Sequence, residues 1–283
     1  MKKQQDTIEE IQIVALNQGE VTLCLLGEEP LIVEHMSEKA RMELLCPRGK
    51  KNAAERATTM KHAPVDEYRN SMYVTEDDGA KTRLVFPTSA FKKAAASAAI
   101  DLPGTNKSQI GRLMWTVGQN TPIFGVPKLF MAIVRSSDMN HTPDVRTRAI
   151  VPEWAAEITV RFMTPLLKAQ TVTALMHAAG QIRGIGGWRQ EKGSGSYGRF
   201  TLVSRDDADF QRIMKTGGRV AQDRAIATPD FYDADTERLF RRYEEETLRR
   251  TASGGTGAAN DETRTVRSKK NGKGATTNGE ALA

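Results

Sequence analysis

The residues best suited to chemistry lie between Gly184 and Arg199, in the stretch GIGGWRQEKGSGSYGR. Its six glycines allow positive φ and let another chain come close to the backbone. Arg183, Arg189, Lys192 and Arg199 supply cations, and Trp188 and Tyr197 supply flat rings. Cations and bare amides attract phosphates, and rings stack on bases. The mixture suits a phosphodiester backbone, and Gly186 and Gly187 stand where such a backbone would pass closest. An inert surface loop, the alternative, gives no reason for interleaving bases with aromatics.

Gly193, Gly195 and Gly198 also spell G-x-G-x-x-G, the dinucleotide fingerprint, which needs a strand before it and a helix after it. Here the order is reversed. An amphipathic run from Lys168 to Ile182, with Val172, Met176, Ala179 and Ile182 on one face, precedes the loop. Phe200 and Leu202 alternate with polar neighbours after it, as in a half-buried strand. No helix N-terminus faces the loop to hold a pyrophosphate, which speaks against a nucleotide cofactor. No cofactor is expected.

Two further groups of cations accompany the loop. Arg48, Lys50, Lys51, Arg56 and Lys61 stand against the single acid Glu55, a local charge of +4 in a chain whose net charge is +6. Such clusters release counterions on binding nucleic acid, without sequence preference. Lys92 and Lys93 follow Pro87-Thr88-Ser89, a natural helix start, and stand where the helix dipole disfavours cations unless an anion is near.

Catalytic chemistry finds no comparable constellation. His35, His62, His141 and His177 have no evident partners in sequence, and Asp66, Glu67, Asp77 and Asp78 are ordinary loop acids. No catalytic residue is assigned. Cys24 and Cys46 lack a C-x-x-C partner or a nearby histidine, so neither a metal site nor a disulfide framework is expected, and both read as core thiols.

The elements that must position these residues follow from periodicity. Ile11–Leu16 and Val21–Leu26 read as strands joined by a turn at Asn17–Glu20. Leu31–Val33 is extended, and Ser37–Ala40 opens a short helix. Pro47 to Lys81 loses apolar periodicity and reads as a long insertion. Arg83–Phe86 is a strand, and Ala90 to Ala99 an alanine-rich helix. Asp101 to Pro127 is turn-rich, and Leu129–Val134 has the continuous apolar character of a central strand. Arg146–Val151 is extended, and Ile158, Val160 and Phe162 alternate with Glu157, Thr159 and Arg161 in the clearest strand. Asp235 to Arg250 forms an amphipathic helix on Leu239, Phe240, Tyr243 and Leu248. The chain from Thr251, with its basic stretch Arg264 to Lys273, has the composition of a disordered tail.

The apolar fraction of 39% can support a packed core, while no run approaches the roughly 20 apolar residues of a membrane helix. The start, MKKQQD, lacks a signal-peptide core. A cytoplasmic protein with no membrane partner is expected.

In order, these elements give an α+β fold with a ferredoxin-like (RRM-type) β-α-β-β-α-β core. With its two motifs in their slots, the arrangement resembles the RAMP superfamily of CRISPR-associated proteins, specifically the backbone subunits that assemble along guide RNA. That family's first helix opens on Pro-Gly-Ser-Ser-hydrophobic-Lys-Gly. Here Pro87, Ser89, Phe91 and Lys92 match, and Thr88 and Lys93 stand where the family has glycine. Its glycine-rich loop lies between the second helix and the last strand, the place of Gly184 to Gly198. The resemblance covers Ile11 to Val203.

It implies a RAMP-like domain over 1–204 with a thumb-like insertion at 47–81, and it leaves unaccounted for the helical extension at 205–250 and the basic tail at 251–283, which are read from periodicity and composition. It also implies a nucleic-acid-binding subunit that associates head to tail into a filament on guide RNA, beside other effector-complex subunits. Arg48, Lys50, Lys51, Lys92, Lys93, Arg183, Gly186, Gly187, Trp188, Arg189, Lys192, Tyr197 and Arg199 are the candidate binding residues. Trp188 either stacks on a base or anchors the loop in the core. The two missing glycines also fit a distant relative of the family, encoded by a mobile element or virus. Two other readings stay open: a single-stranded DNA-binding or annealing protein of a recombination system, and an RNA-cleaving member of the same superfamily.

Overall fold

The computed structural model describes residues 15–36, 38–46, 60–104, 106–135, 143–192 and 195–257. It is an α+β protein built on antiparallel sheets. Strand β1 (Asn17–Gly27) pairs with β8 (Ala155–Thr164) on one side and β9 (Phe200–Val203) on the other. β8 pairs in turn with β4 (Met114–Thr116) and β5 (Asn120–Phe124), and β5 with β3 (Val85–Pro87). The order across the main sheet is therefore β3, β5, β8, β1, β9, with β4 beside β8.

β1 corrects the expected turn at Asn17–Glu20. Those residues continue the strand, and Gly19 sits opposite Phe162. A Cβ on Gly19 would lie 2.6 Å from the Phe162 ring, so glycine here makes room for a ring that is 3% exposed. Burial of the aromatic overrides the turn propensity of the local residues. Ile11–Val14 lie outside the described residues.

Both faces of the main sheet are covered. Leu23 and Leu25 point into the main core, where Phe91 and Ala95 of α3 (Ser89–Ala98) and Val172, Leu175 and Met176 of α5 (Ala169–Ala178) meet them. Cys24 and Leu26 point the other way, toward Phe210 and Ile213 of α6 (Ala208–Thr216). Successive residues of one strand thus serve two cores. Cys24 is buried as expected, which pushes its thiol pKa up, whereas Cys46 is exposed.

The turn-rich stretch 101–127 holds more order than its composition suggests. Asn106 caps α4 (Lys107–Leu113), its side chain accepting from the Ser108 amide at 2.9 Å, and β4 and β5 follow. Thr88 precedes α3 yet makes no capping bond. It is buried, and its hydroxyl meets that of Thr121 at 3.0 Å.

A second sheet stacks β7 (Pro143–Val151) between β2 (Leu31–Val33) and β6 (Lys128–Arg135). β6 is thus an edge strand, not a central one. Its apolar run is explained by cover on both faces: Leu129 and Met131 enter the main core, and Phe130 packs with Ile32 and Ile150. Its edge is also covered. The Leu129 amide donates to Asp230 O at 2.8 Å, Tyr232 N donates to Leu129 O at 2.9 Å, and Met131 N donates to the Thr236 hydroxyl at 3.2 Å.

Within 47–81, residues 47–59 lie outside the described part. Helix α2 (Pro64–Asn70) lacked a visible period, yet it carries Tyr68 into the core, followed by Met72. The Tyr68 hydroxyl donates to Pro127 O at 3.3 Å and Ala225 O at 3.1 Å.

Beyond β9 come α6, α7 (Arg219–Ala227) and α8 (Ala234–Gly257). Fully buried Gln222 of α7 ties this helical region to the body. Its oxygen accepts from the amides of Arg83 (2.7 Å) and Leu84 (2.9 Å), and its nitrogen donates to Ile123 O (2.8 Å), Gly125 O (3.0 Å) and Gly217 O (2.9 Å). Helix α8 continues through Gly257, past Thr251, and the tail's basic stretch lies outside the described residues. Among the described residues, no helix is long and apolar enough to cross a membrane.

Candidate nucleic-acid interface

The helix-to-loop junction is built by backbone geometry. α5 ends in a π-helical turn, Ala179–Arg183, closed when the Gly184 amide donates to Ala179 O at 2.9 Å. The two ends of the loop then meet, Ile185 N donating to Gly198 O at 3.0 Å. Gly187 N donates to Ile32 O of the second sheet (2.9 Å), and Gly198 N donates to Pro30 O just before that strand (2.8 Å). Gly186 and Gly198 adopt φ of +83° and +71°, and a Cβ would lie 2.5 Å from Ile32 O and 1.8 Å from Ile185 O respectively. Both need glycine for conformation and for space. The loop's glycines therefore dock it on the protein.

One side of this docked loop faces α3 and α4 across a cleft of about 810 Å³. Lys92, Lys93 and Lys107 line it, with Gly184 to Gly186, Arg189 and Glu191 opposite and Tyr73 and Phe86 at one end. The two motifs singled out in the sequence, the Pro87–Lys93 helix start and the glycine loop, thus form opposite walls of one groove. Lys92 is half-buried and Lys93 and Lys107 are exposed, and none of the three makes an ion pair with a described residue. α3 carries no acid in its first turn to balance them. Lys107, Ser108 and Gly111 of α4 and Tyr73 are members that sequence reasoning missed. The signal available for α4 was Asn106, an N-cap residue placed just before Lys107.

The loop arginines are held by carboxylates. Arg183 pairs with Asp101 and donates to Ser97 O (3.3 Å). Arg189 donates to Glu191 Oε2 (3.0 Å) and Gly186 O (3.0 Å). Arg199 donates to Glu28 (3.2 Å) and Gln181 Oε1 (2.9 Å). Arg183 and Arg199 tie the two ends of the loop to neighbouring segments, Arg189 braces the loop internally, and Arg189 alone of the three lines the cleft. Burial works against the Glu191 carboxylate, but the Ser97 hydroxyl and the Arg189 and Arg183 guanidinium groups outweigh it and hold its pKa below the ordinary value.

Trp188 and Tyr197 lie on the second sheet, away from the cleft lining. Trp188 packs edge-on to Phe130 (5.7 Å) and Tyr197 (6.2 Å), with the Arg148 guanidinium 6.0 Å from its ring. Its φ of +47° is left-handed, a conformation costing a non-glycine residue about 1–2 kcal/mol, and these contacts hold it there. Both rings are half-buried. Trp188 therefore anchors the loop. Arg48, Lys50 and Lys51, and the side chain of Lys192, lie outside the described residues, as do Arg56 and His141.

The acids and histidines sort differently from the sequence expectation. His62 does have partners: Nδ1 lies 3.0 Å from Glu67 Oε1 and Nε2 lies 3.2 Å from Asp144 Oδ1. Lys61 and Arg146 reach the same Asp144 at 2.5 and 3.3 Å. Burial raises the Asp144 pKa, but Lys61, His62 and Arg146 together bring it below the ordinary value. With both ring nitrogens against carboxylates, His62 clasps α2 to β7 and turns no free nitrogen to a substrate. His35 is bound to Asn70 O at 3.1 Å, and Asp78 pairs with Arg219 at 2.9 Å, while His177 and Asp66 are exposed. Among the described residues no group of three or more metal-ligating side chains converges.

No protein-family model and no curated protein matches the chain. Among solved structures, a chain of the type III-B Cmr-beta complex bound to cognate target RNA is similar at TM-score 0.36 and 12% identity. That match covers 66% of this chain and 59% of the other, less than two thirds of its length. Cmr6 from Pyrococcus furiosus is similar at TM-score 0.33 and 10% identity, over 68% of this chain and 100% of the other.

Proposed function

We propose that this chain binds single-stranded nucleic acid, RNA in the first place, in the cleft between α3, α4 and the glycine loop, as a RAMP-like subunit of a ribonucleoprotein complex. The observation that carries the reading is the convergence of three lysines that pair with no described acid, Lys92, Lys93 and Lys107, on a groove whose far wall is the glycine-rich backbone. A strand seated there meets cations on one side and the docked loop, with Arg189, on the other. The sheet order supports the fold reading: the last strand, β9, lies beside β1, then β8, then β5, with α3 and α5 on one face. An antiparallel order of this kind is what the ferredoxin-like reading expects.

Phosphate contacts of this kind give affinity without sequence preference, and sequence choice would be left to base pairing in a guide. Head-to-tail association along that guide belongs to the same reading, since heterologous contacts that do not close generate filaments. The test is to purify the chain from its native cells and sequence whatever nucleic acid accompanies it, then repeat with Lys92→Ala/Lys93→Ala. RNA of discrete length, lost in the variant, supports the proposal. Protein free of nucleic acid that also fails to bind labelled RNA overturns it. Preference for DNA over RNA of the same sequence selects the recombination reading, because only RNA offers the 2′-hydroxyl.

A further inference from the structure

A second basic cleft, of about 900 Å³, lies on the helical region between α6 and α7. Among the described residues four cations line it, Lys81, Lys215, Arg219 and Arg224, against the single acid Asp230. Arg219 is committed to Asp78 (2.9 Å) and Asp223 (3.5 Å). Lys81, Lys215 and Arg224 are exposed and make no ion pair with a described residue. Three uncompensated cations around one concave surface attract a polyanion.

This cleft is joined to the loop cleft by one element. Residues 73–86 double back as an irregular hairpin, held by the Val74–Leu84 bridge and by bonds from Thr75 N to Arg83 O (3.0 Å) and from Val85 N to Tyr73 O (2.9 Å). Its base, Tyr73 and Phe86, lines the loop cleft, and near its tip Ala80 and Lys81 line the second. The tip is pinned to α7, where Arg219 N donates to Lys81 O at 2.9 Å and the Arg219 guanidinium donates to Asp77 O at 2.6 Å. Seven residues of extended chain span at most about 23 Å, the length of about seven stacked nucleotides at roughly 3.4 Å each.

We infer that the second cleft continues the strand path: a nucleic-acid strand seated in the loop cleft runs along the 73–86 hairpin and places phosphates on Lys81, Lys215 and Arg224. This rests on the proposed function of the loop cleft and adds to it a second phosphate site on the helical region. An acidic protein surface is the other polyanion that these cations fit, and the experiment separates the two.

Binding of labelled oligouridylates of about 6 and about 20 nucleotides, lengths within and beyond one such site, is measured by fluorescence anisotropy across a salt series. The proteins are the full chain, Lys81→Ala/Lys215→Ala/Arg224→Ala, and Lys92→Ala/Lys93→Ala. The triple variant should bind the longer strand about tenfold more weakly, with a salt slope lower by about 2, and bind the shorter strand as the wild type does. The double variant should weaken both. Because the three substituted side chains are exposed, an unchanged melting temperature reports an intact fold. A triple variant that binds the longer strand like wild type overturns the inference and assigns the cleft to another partner. If the double variant is also without effect, it is the loop-cleft reading that has failed.

Discussion

Ser97 Oγ on α3 donates a 2.6 Å hydrogen bond to Glu191 Oε1 in the middle of the glycine loop, joining the two walls of the basic cleft at one point. The same carboxylate accepts from Arg189 through its other oxygen. Among the described residues Glu191 is the only acidic side chain lining the cleft, so it both braces the groove and offsets its positive charge. Replacing it by Gln should separate these roles. Affinity for an oligonucleotide should rise roughly fivefold at low salt, the equivalent of about 1 kcal/mol, while stability falls by about 1–2 kcal/mol through the weakened charged bonds. Salt-dependent binding isotherms and urea denaturation read the two effects independently.

Glycine positions that look alike in sequence should respond differently to alanine. Gly186→Ala places a Cβ against Ile32 O at φ +83° and should cost about 2–4 kcal/mol. Gly111, inside α4, has no atom within 4 Å of an added Cβ, and alanine there should stabilise by about 0.5–1 kcal/mol. Denaturant midpoints of the two variants should therefore move in opposite directions.

Gln222 joins five backbone groups that come from three separate parts of the chain. Gln222→Leu keeps the volume and leaves those groups unpaired in the interior, so a loss of about 3–5 kcal/mol is expected. A thermal melt that shifts by only a degree or two would contradict this role.

The Asp144 cluster predicts an acid dependence. Its pKa is lower in the folded chain than unfolded, so its contribution is fully present above the unfolded carboxylate pKa and is lost as pH falls through the folded value. Asp144→Asn removes the acceptor shared by Lys61, His62 and Arg146, and should cost about 1–3 kcal/mol at neutral pH. The gap between variant and wild type should narrow as the pH is lowered below about 4, measured by denaturation at a series of pH values.

Elements whose burial follows a single period were legible before any coordinates. The alternation at Ile158, Val160 and Phe162 marks β8, and the 3.6 period through Val172, Met176 and Ala179 marks α5, because one face of each meets the core. α2 escaped notice because its buried residue, Tyr68, stands in a short polar helix and finds its partners, Pro127 and Ala225, far away in sequence. β6 was misplaced for the converse reason: a strand covered on both faces has the same composition whether it lies at the centre or at a covered edge.

By composition and order alone, the sequence determined that a glycine-rich, cationic loop lies between a helix and a strand, and that a second basic helix start stands upstream. Only the tertiary structure decided that these two face each other across one groove. It also decided that Trp188, Arg183 and Arg199 hold the loop while Lys92, Lys93 and Lys107 line the groove with no ion pair to a described residue. The reason is physical. Residue type sets what a side chain can bond to, but whether a cation is free depends on carboxylates such as Asp101, Glu28 and Glu191, and Asp101 and Glu28 are brought beside it only when distant segments pack together.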